Sequence, residues 1–473
     1  MRARQVAACL IATSGLLLAA FPAVAQDSGS SSTAVPLRPG IMFNRWQEDW
    51  LVLADPRVPR EPFDGLKYIA LSSSDPLSYL SFGFGARERF ESNNAVSFGV
   101  GDNENANYLL SRTELHADLN VAGRIKVFAQ LQSDFAPWKL DPSPVDVNSL
   151  DLEQAFIALT QPVGDGLLKL RVGRQQFAFD LQRFVSVRDG PNVRQSFDAA
   201  WIDYELDPWR LIAFYSRPVQ VQNLRPFDDY SNDQFTFTVG RVEHRWGEEA
   251  FLAAYYGRYT QGAARYIAAR GEERRNIFDV HFAALKDGFD IDIEAMAQTG
   301  NVADKSIWAW AVGSLAGYTF NDLVWKPRLG MQVDLASGNT NPKDKVIGTF
   351  NPLFPNGYYF SLAGYTGYSN LIHIKPSVTF KPSSSTKLLL AVAGQWRMTT
   401  ADAVYTQPLS PVPGTAGQPG SFTGTYAQLR FDWTISRNLT FAVEAVHFNV
   451  GEAIRQAGGR NADYVGVQFA FGW

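Results

Sequence analysis

The chain has 473 residues, 43 Lys and Arg against 47 Asp and Glu for a net charge of −4, with 12 Trp, 18 Tyr, 33 Phe and one Cys. One cysteine excludes a disulfide scaffold, the charge balance offers no basic field for nucleic acid, and 46% hydrophobic residues is too many for a disordered chain. At roughly 150 residues per domain the length would suggest three units, but all-β barrels run long as one.

Residues 1–25 read as a cleaved signal peptide: Arg2 and Arg4 precede an apolar run from Val6 to Leu18, and Ala23-Val24-Ala25 supplies an A-x-A site. The run is shorter than the roughly 20 residues a helical span needs. Cys9 lies inside it without a lipobox, so the mature chain from Gln26 carries no cysteine. Residues 26–78 are expected to form an N-terminal periplasmic segment leading into the channel, and 79–473 the membrane domain.

After Gln26 no 18 apolar residues run together, and the nearest approach, Ile307 to Phe320, is broken by Gly313, Ser314 and Gly317. Segments of about ten residues with period-2 alternation repeat instead, the signature of a transmembrane β-barrel. Strands are predicted near 79–91, 107–119, 123–134, 151–159, 167–175, 199–206, 209–217, 234–243, 250–259, 276–285, 289–298, 307–317, 326–337, 371–380, 386–397, 423–433, 439–448 and 463–473, which makes 18. The second sets Arg112, Glu114 and His116 against Thr113, Leu115 and Ala117. The thirteenth sets Lys326, Arg328, Gln332 and Asp334 against Leu329, Met331, Val333 and Leu335. In the last, Val465, Val467, Phe469, Phe471 and Trp473 share one face, a terminal pattern like the assembly signal of bacterial outer-membrane barrels. The phase of 151–159, 167–175 and 234–243 is ambiguous.

The fold class is therefore all-β, a transmembrane antiparallel barrel. Tight links at Asn120 to Ala122, Asp207-Pro208, Lys286 to Gly288 and Ser436 to Asn438 read as periplasmic turns, and longer connections such as 135–150, 176–198 and 338–370 as extracellular loops. Eighteen strands place such a barrel in the size class of an aqueous channel, not filled by its own wall side chains.

Arg45-Trp46-Gln47-Glu48-Asp49-Trp50, Lys67-Tyr68-Ile69, Tyr79 to Phe82 and Arg87-Glu88-Arg89-Phe90-Glu91 resemble the N-terminal half of the alginate export family of outer-membrane barrels. So do Gly173-Arg174-Gln175, Arg183-Phe184 and the run Arg188 to Asp198. The resemblance implies a monomeric pore in the bacterial outer membrane through which an anionic, alginate-like polysaccharide leaves the periplasm, past lumen arginines and lysines forming an electropositive constriction. It also implies a synthase or export complex beneath the pore. Arg174, Arg183, Arg188 and Arg194 lie in the family-like motif around the 176–198 loop, which is long enough to fold inward, although Asp189-Gly190-Pro191-Asn192 also reads simply as a turn. The family's exporter carries a long periplasmic turn near the C-terminus; the link between 433 and 439 is very short here, so gating of that kind is not expected.

Charges on the inward phase can be counted without the family. On the first five strands Arg87, Arg89, Arg112, Arg124, Lys126, Lys169 and Arg171 face Glu91, Glu114, Asp118 and Asp134, and between 326 and 433 Lys326, Arg328, Lys375, Arg397 and Arg430 face Asp334 and Asp432. The strand at 289–298 instead points Asp290, Asp292 and Glu294 inward, so the lumen should be polarised. Bidentate arginines suit a carboxylated sugar chain, while the same residues also read as salt-bridged wall.

No catalytic motif occurs: there is no H-E-x-x-H, G-x-S-x-G or P-loop. Asp290-Ile291-Asp292-Ile293-Glu294 alternates as a strand and lacks the glycine of a calcium loop. No enzyme activity, cofactor or metal is expected. The partners expected are an anionic polysaccharide or other anionic solute and outer-membrane lipid, and the alternative function is a substrate-specific porin for small anionic nutrients.

Overall fold

The computed structural model describes residues 36–101 and 105–473; the expected signal peptide lies outside them. Eighteen long antiparallel strands form a closed barrel. They are β1 Tyr79–Asn93, β2 Ala106–Val121, β3 Ile125–Phe135, β4 Asn148–Val163, β5 Gly166–Gln175 and β6 Phe197–Leu206. Next come β7 Trp209–Gln220, β8 Phe235–Trp246, β9 Ala250–Arg265, β10 Arg270–Lys286, β11 Phe289–Val302 and β12 Lys305–Thr319. The last are β13 Arg328–Ala336, β14 Leu371–Phe380, β15 Thr386–Trp396, β16 Phe422–Thr434, β17 Leu439–Val450 and β18 Ala462–Gly472. Closure is a ladder between β1 and β18, from Gly85 opposite Gly472 to Asn93 opposite Tyr464.

The pleat explains why these segments form a membrane wall. On β10, Ile277, Asp279 and His281 are buried while Phe278, Val280 and Phe282 are exposed, and Leu115, Ile157, Val172, Trp308, Val392 and Phe469 continue that outer apolar band. Exposed large apolar side chains over a whole cylinder fit hydrocarbon, and closure pairs every backbone group that lipid could not satisfy. No helix among the described residues is long and apolar enough to cross a membrane. Eight inner links are short, and the Asp287-Gly288 turn shows why: its residues adopt φ of 50° and 87°, which Gly and Asp tolerate and a hairpin of this twist requires.

The interior is not simply wet. The 176–196 and 337–370 loops fold into the barrel and pair along their backbones: Ser186 N donates to Phe354 O at 2.9 Å, Phe354 N to Phe184 O at 2.9 Å and Asn356 N to Gln182 O at 3.1 Å. Phe177, Phe184, Phe350 and Phe354 from these loops pack on Phe197, Phe214 and Phe237 from β6, β7 and β8. Each such burial contributes roughly 1.5–3 kcal/mol, so the loops are fastened by an apolar core inside the wall. That core corrects the expectation of an interior left to water. It also explains the ambiguous phase of 234–243, where Phe237 and Val239 point inward beside Arg241 and Glu243. The ambiguity of 151–159 has another cause, two register shifts between β3 and β4.

Residues 36–78 enter at the inner mouth. Arg45 donates to Trp473 O at 2.7 Å and pairs with Glu48 at 2.7 Å, and Lys126 reaches Trp46 O at 2.6 Å. Trp46 meets Phe156 edge-on, and Phe43 lies 4.4 Å beneath the Arg194 guanidinium, so the segment reaches up to the 176–196 loop.

Candidate functional site

The 176–196 loop spans the barrel from β1 and β2 to β8, β10 and β11. At one end Asp189 to Asn192 meets the arginines of β1 and β2. Arg87 donates to Asp189 O at 2.8 Å and Pro191 O at 3.0 Å, Arg89 to Gly190 O, and Arg112 to Asn192 O at 2.8 Å and the Asp189 carboxylate at 2.5 Å. Arg194 brings a further guanidinium to Asp189, at 2.7 Å, and another of its nitrogens to Glu114 at 2.6 Å. Asn192, fully buried, donates to the carbonyls of Ser111, Phe135 and Asp146 at 3.0–3.1 Å, locking the tip to β2, β3 and the 136–147 loop. Gly190 is needed for the approach of the second loop: a Cβ there would lie 2.9 Å from Tyr358 and 3.1 Å from the Gly357 Cα.

At the other end the loop meets the wall with both signs. Arg183, fully buried, pairs with Asp292 at 2.6 Å and Glu294 at 3.2 Å on β11. Asp180 pairs with Arg241 of β8 at 2.6 Å and with His281 of β10 at 2.9 Å, and the other His281 nitrogen lies 2.8 Å from Asp292. The acidic arc expected from Asp290, Asp292 and Glu294 is therefore present but neutralised, the first of these by Arg328, whose Nε donates to Asp290 at 2.8 Å.

Of the other residues singled out from sequence, Lys126 pairs with Asp118 at 2.7 Å and Arg430 with Asp432 at 2.8 Å and Glu444 at 3.1 Å. Arg171, Arg188 and Lys375 form no ion pair among the described residues: Arg171 lies against the rings of Trp46, Phe156 and Trp201, Arg188 donates to Leu353 O at 3.1 Å, and Lys375 to Phe360 O at 2.8 Å.

Four expectations of a lumen position are corrected. Arg124 is exposed in the inner turn 122–124, and Lys326 is exposed in the link 320–327, because β3 and β13 begin only after them. Arg174 shares the outward face of β5 with Val172 and pairs with Asp198 at 3.0 Å under the 221–234 loop. Arg397 follows the end of β15 and serves its own loop, donating to the carbonyls of Thr400, Asp402, Thr415, Gln418 and Gly420.

Sequence reasoning also missed lumen charges. Arg241 was hidden by the inverted pattern of its strand. Arg275, paired with Glu273 at 2.6 Å, lies where β10 starts six residues before the predicted strand. The signal was available, since Glu273, Arg275, Ile277, Asp279 and His281 all share one phase. At the inner mouth Lys67 is buried between the rings of Trp50 at 4.8 Å and Trp473 at 4.4 Å, and burial pushes its ammonium down to about 8 against the pull of Glu48.

The alginate export family model matches residues 78–468. The chain belongs to that family. Its fold is shared by solved outer-membrane barrels: Pseudomonas aeruginosa OccK2 (OpdF) in complex with glucuronate, at 11% identity and TM-score 0.53 over 83% of this chain and 96% of that one. P. aeruginosa OccK8 (OprE) is similar at 9% identity and TM-score 0.56, covering 83% and 98%, and Acinetobacter baumannii OccAB4 at 9% and 0.56, covering 83% and 97%. No curated protein matches in sequence. The family and the barrel make this protein a channel of the bacterial outer membrane; both are of channel type and not of enzyme type.

Proposed function

We propose that this family member passes an anionic, alginate-like polysaccharide from the periplasm to the outside. The observation that carries the reading is the group Arg87, Arg89, Arg112 and Arg194, which holds the 189–192 tip through backbone carbonyls and the shared carboxylate of Asp189. A uronate carboxylate offers the same two oxygens as Asp189 and suits the guanidinium fork equally. Arg171, Arg188 and Lys375, which lack ion pairs among the described residues, supply further positive charge along the interior. Such a track must hold each carboxylate weakly or the chain would bind without moving. Because the loop tip occupies those arginines, transport of a polymer requires it to withdraw from Arg87 and Arg112. A periplasmic synthase or export complex would deliver the cargo.

A second reading, a porin for small anionic nutrients, is favoured by one observation: OccK2, a neighbour in fold, was solved with glucuronate, a single sugar acid. Planar-bilayer recordings separate the two. Polysaccharide export predicts anion preference and block by polyuronate from the periplasmic side that strengthens with polymer length, both weakened in Arg87→Ala and Arg89→Ala. Saturation by monomeric uronates with indifference to polymers would sink export and leave the nutrient porin. Cation preference would overturn both.

A further inference from the structure

Behind the acidic end of the loop lies a group of oxygens that neither channel reading uses. One carboxylate oxygen from each of Asp180, Asp279 and Glu294 lies within 4.8 Å of the other two. They come from three elements: the 176–196 loop, β10 and β11. Two of the three carboxylates are committed to cations already described, Asp180 to Arg241 and His281 and Glu294 to Arg183. Asp279 is not. Only 3% of it is exposed, and neither of its carboxylate oxygens has a hydrogen-bond partner.

A second buried group points the same way. Tyr255 of β9 stands directly opposite Asp279 in the β9–β10 ladder, is 4% exposed, and its hydroxyl also lacks a partner. Nη2 of Arg183 and Nδ1 of His281 are likewise buried without a hydrogen-bond partner, yet neither reaches Asp279 or Tyr255. Arg241 spends Nε on Glu243 and both terminal nitrogens on Asp180, and His281 turns Nε2 to Asp292 while Nδ1 lies 2.9 Å from Asp180. Asp180, Asp279, Asp292 and Glu294 thus outnumber Arg183, Arg241 and His281 even with the imidazole charged. An ionised carboxylate left unpaired in a dry interior costs several kcal/mol.

We propose that Asp180, Asp279 and Glu294, with the Tyr255 hydroxyl, bind a calcium ion that clamps the 176–196 loop to the wall at β10 and β11. Hard divalent cations take carboxylate and neutral oxygens, and at about 2.4 Å per Ca–O bond two ligands of one ion lie no more than about 4.8 Å apart, which the three carboxylates satisfy. The ion neutralises Asp279 and bridges a loop carboxylate to two wall carboxylates. The set is invisible to a motif search because Asp180 lies about a hundred residues before the others.

The test uses the full-length protein in detergent, stripped with chelator and titrated with CaCl2 by calorimetry, with Tb3+ luminescence as a second readout. One equivalent of calcium should bind to wild type, weakened at least tenfold in Asp279→Asn and unchanged in Asp228→Asn, a substitution in the separate Asp151, Asp228 and Asp229 cluster. Tb3+ emission displaced by calcium should be lost in the first variant and kept in the second. Chelator should also raise single-channel conductance of wild type as the loop loosens. Absence of calcium binding to wild type, binding that survives Asp279→Asn, or an infrared carboxylic-acid band at neutral pH that this variant abolishes would each overturn the proposal, the last by showing that a proton neutralises Asp279. Should Asp279→Asn fail to fold, Tyr255→Phe keeps the test open: it should bind calcium severalfold more weakly, and unchanged affinity would count against the site.

Discussion

The two walls that the 176–196 loop touches are nine strands apart in an 18-strand barrel, on opposite sides, and they hold it by different means. At β1 and β2 the wall supplies arginines and the loop supplies carbonyls and one carboxylate; at the far wall β11 supplies carboxylates to the loop's Arg183, and the loop's Asp180 meets Arg241 of β8 and His281 of β10. Arg89 is also paired with Glu91 at 2.6 Å and Arg112 with Asp189 at 2.5 Å, but the loop carbonyls on Arg87 and Arg112 are acceptors that another oxyanion can replace. The Arg183 pairs with Asp292 and Glu294 at the far wall are buried and costly to part. The first end is suited to release and the second to anchorage.

The largest expected effect breaks the anchored end. Arg183→Met leaves Asp292 and Glu294 without their guanidinium, so we expect a loss of about 3–5 kcal/mol, read by denaturant titration in micelles, together with larger and noisier conductance. If this variant also frees backbone amides near Asp189 in hydrogen exchange, the loop moves as one body and the contrast between its ends fails. Asn192→Ala attacks the other end by orphaning buried carbonyls, at about 1–3 kcal/mol. Faster exchange should then be confined to residues 186–194, with the Arg183 end still protected.

A smaller effect concerns the inner mouth. Lys67 is held at about 8 in place against an ordinary value near 10.4, so between these values the undocked segment binds more protons than the docked one. Docking therefore strengthens as pH rises from about 8 to about 10. Protease resistance of residues 36–78 should rise over that range in wild type and stay flat in Lys67→Met. The smallest effect is Arg124→Ala, expected within about 0.5 kcal/mol and without change in ion selectivity, because its side chain is exposed in a turn. A selectivity shift as large as that of Arg87→Ala would show that the inner rim, and not the loop tip, sets the field.

All 18 strands were legible because pleat alternation is a local property: a side chain faces lipid or lumen according to its parity, and residues such as Phe278 and Asp279 declare it side by side. The same rule placed Arg87, Arg89, Arg112, Arg328 and Arg430 inside. It failed where parity ends, at Arg124, Lys326 and Arg397, and where the interior is itself apolar, on β8, since an inward Phe237 and an outward lipid-facing Phe read alike.

The sequence by itself thus determined a membrane-facing wall and its strand order, because each depends on neighbours one or two residues away. Only the tertiary structure decided what fills it. Whether Arg183 reaches Asp292, a guanidinium and a carboxylate 109 residues apart, depends on two long loops finding each other's backbones and a common apolar core across the lumen, and no local pattern encodes a contact of that span.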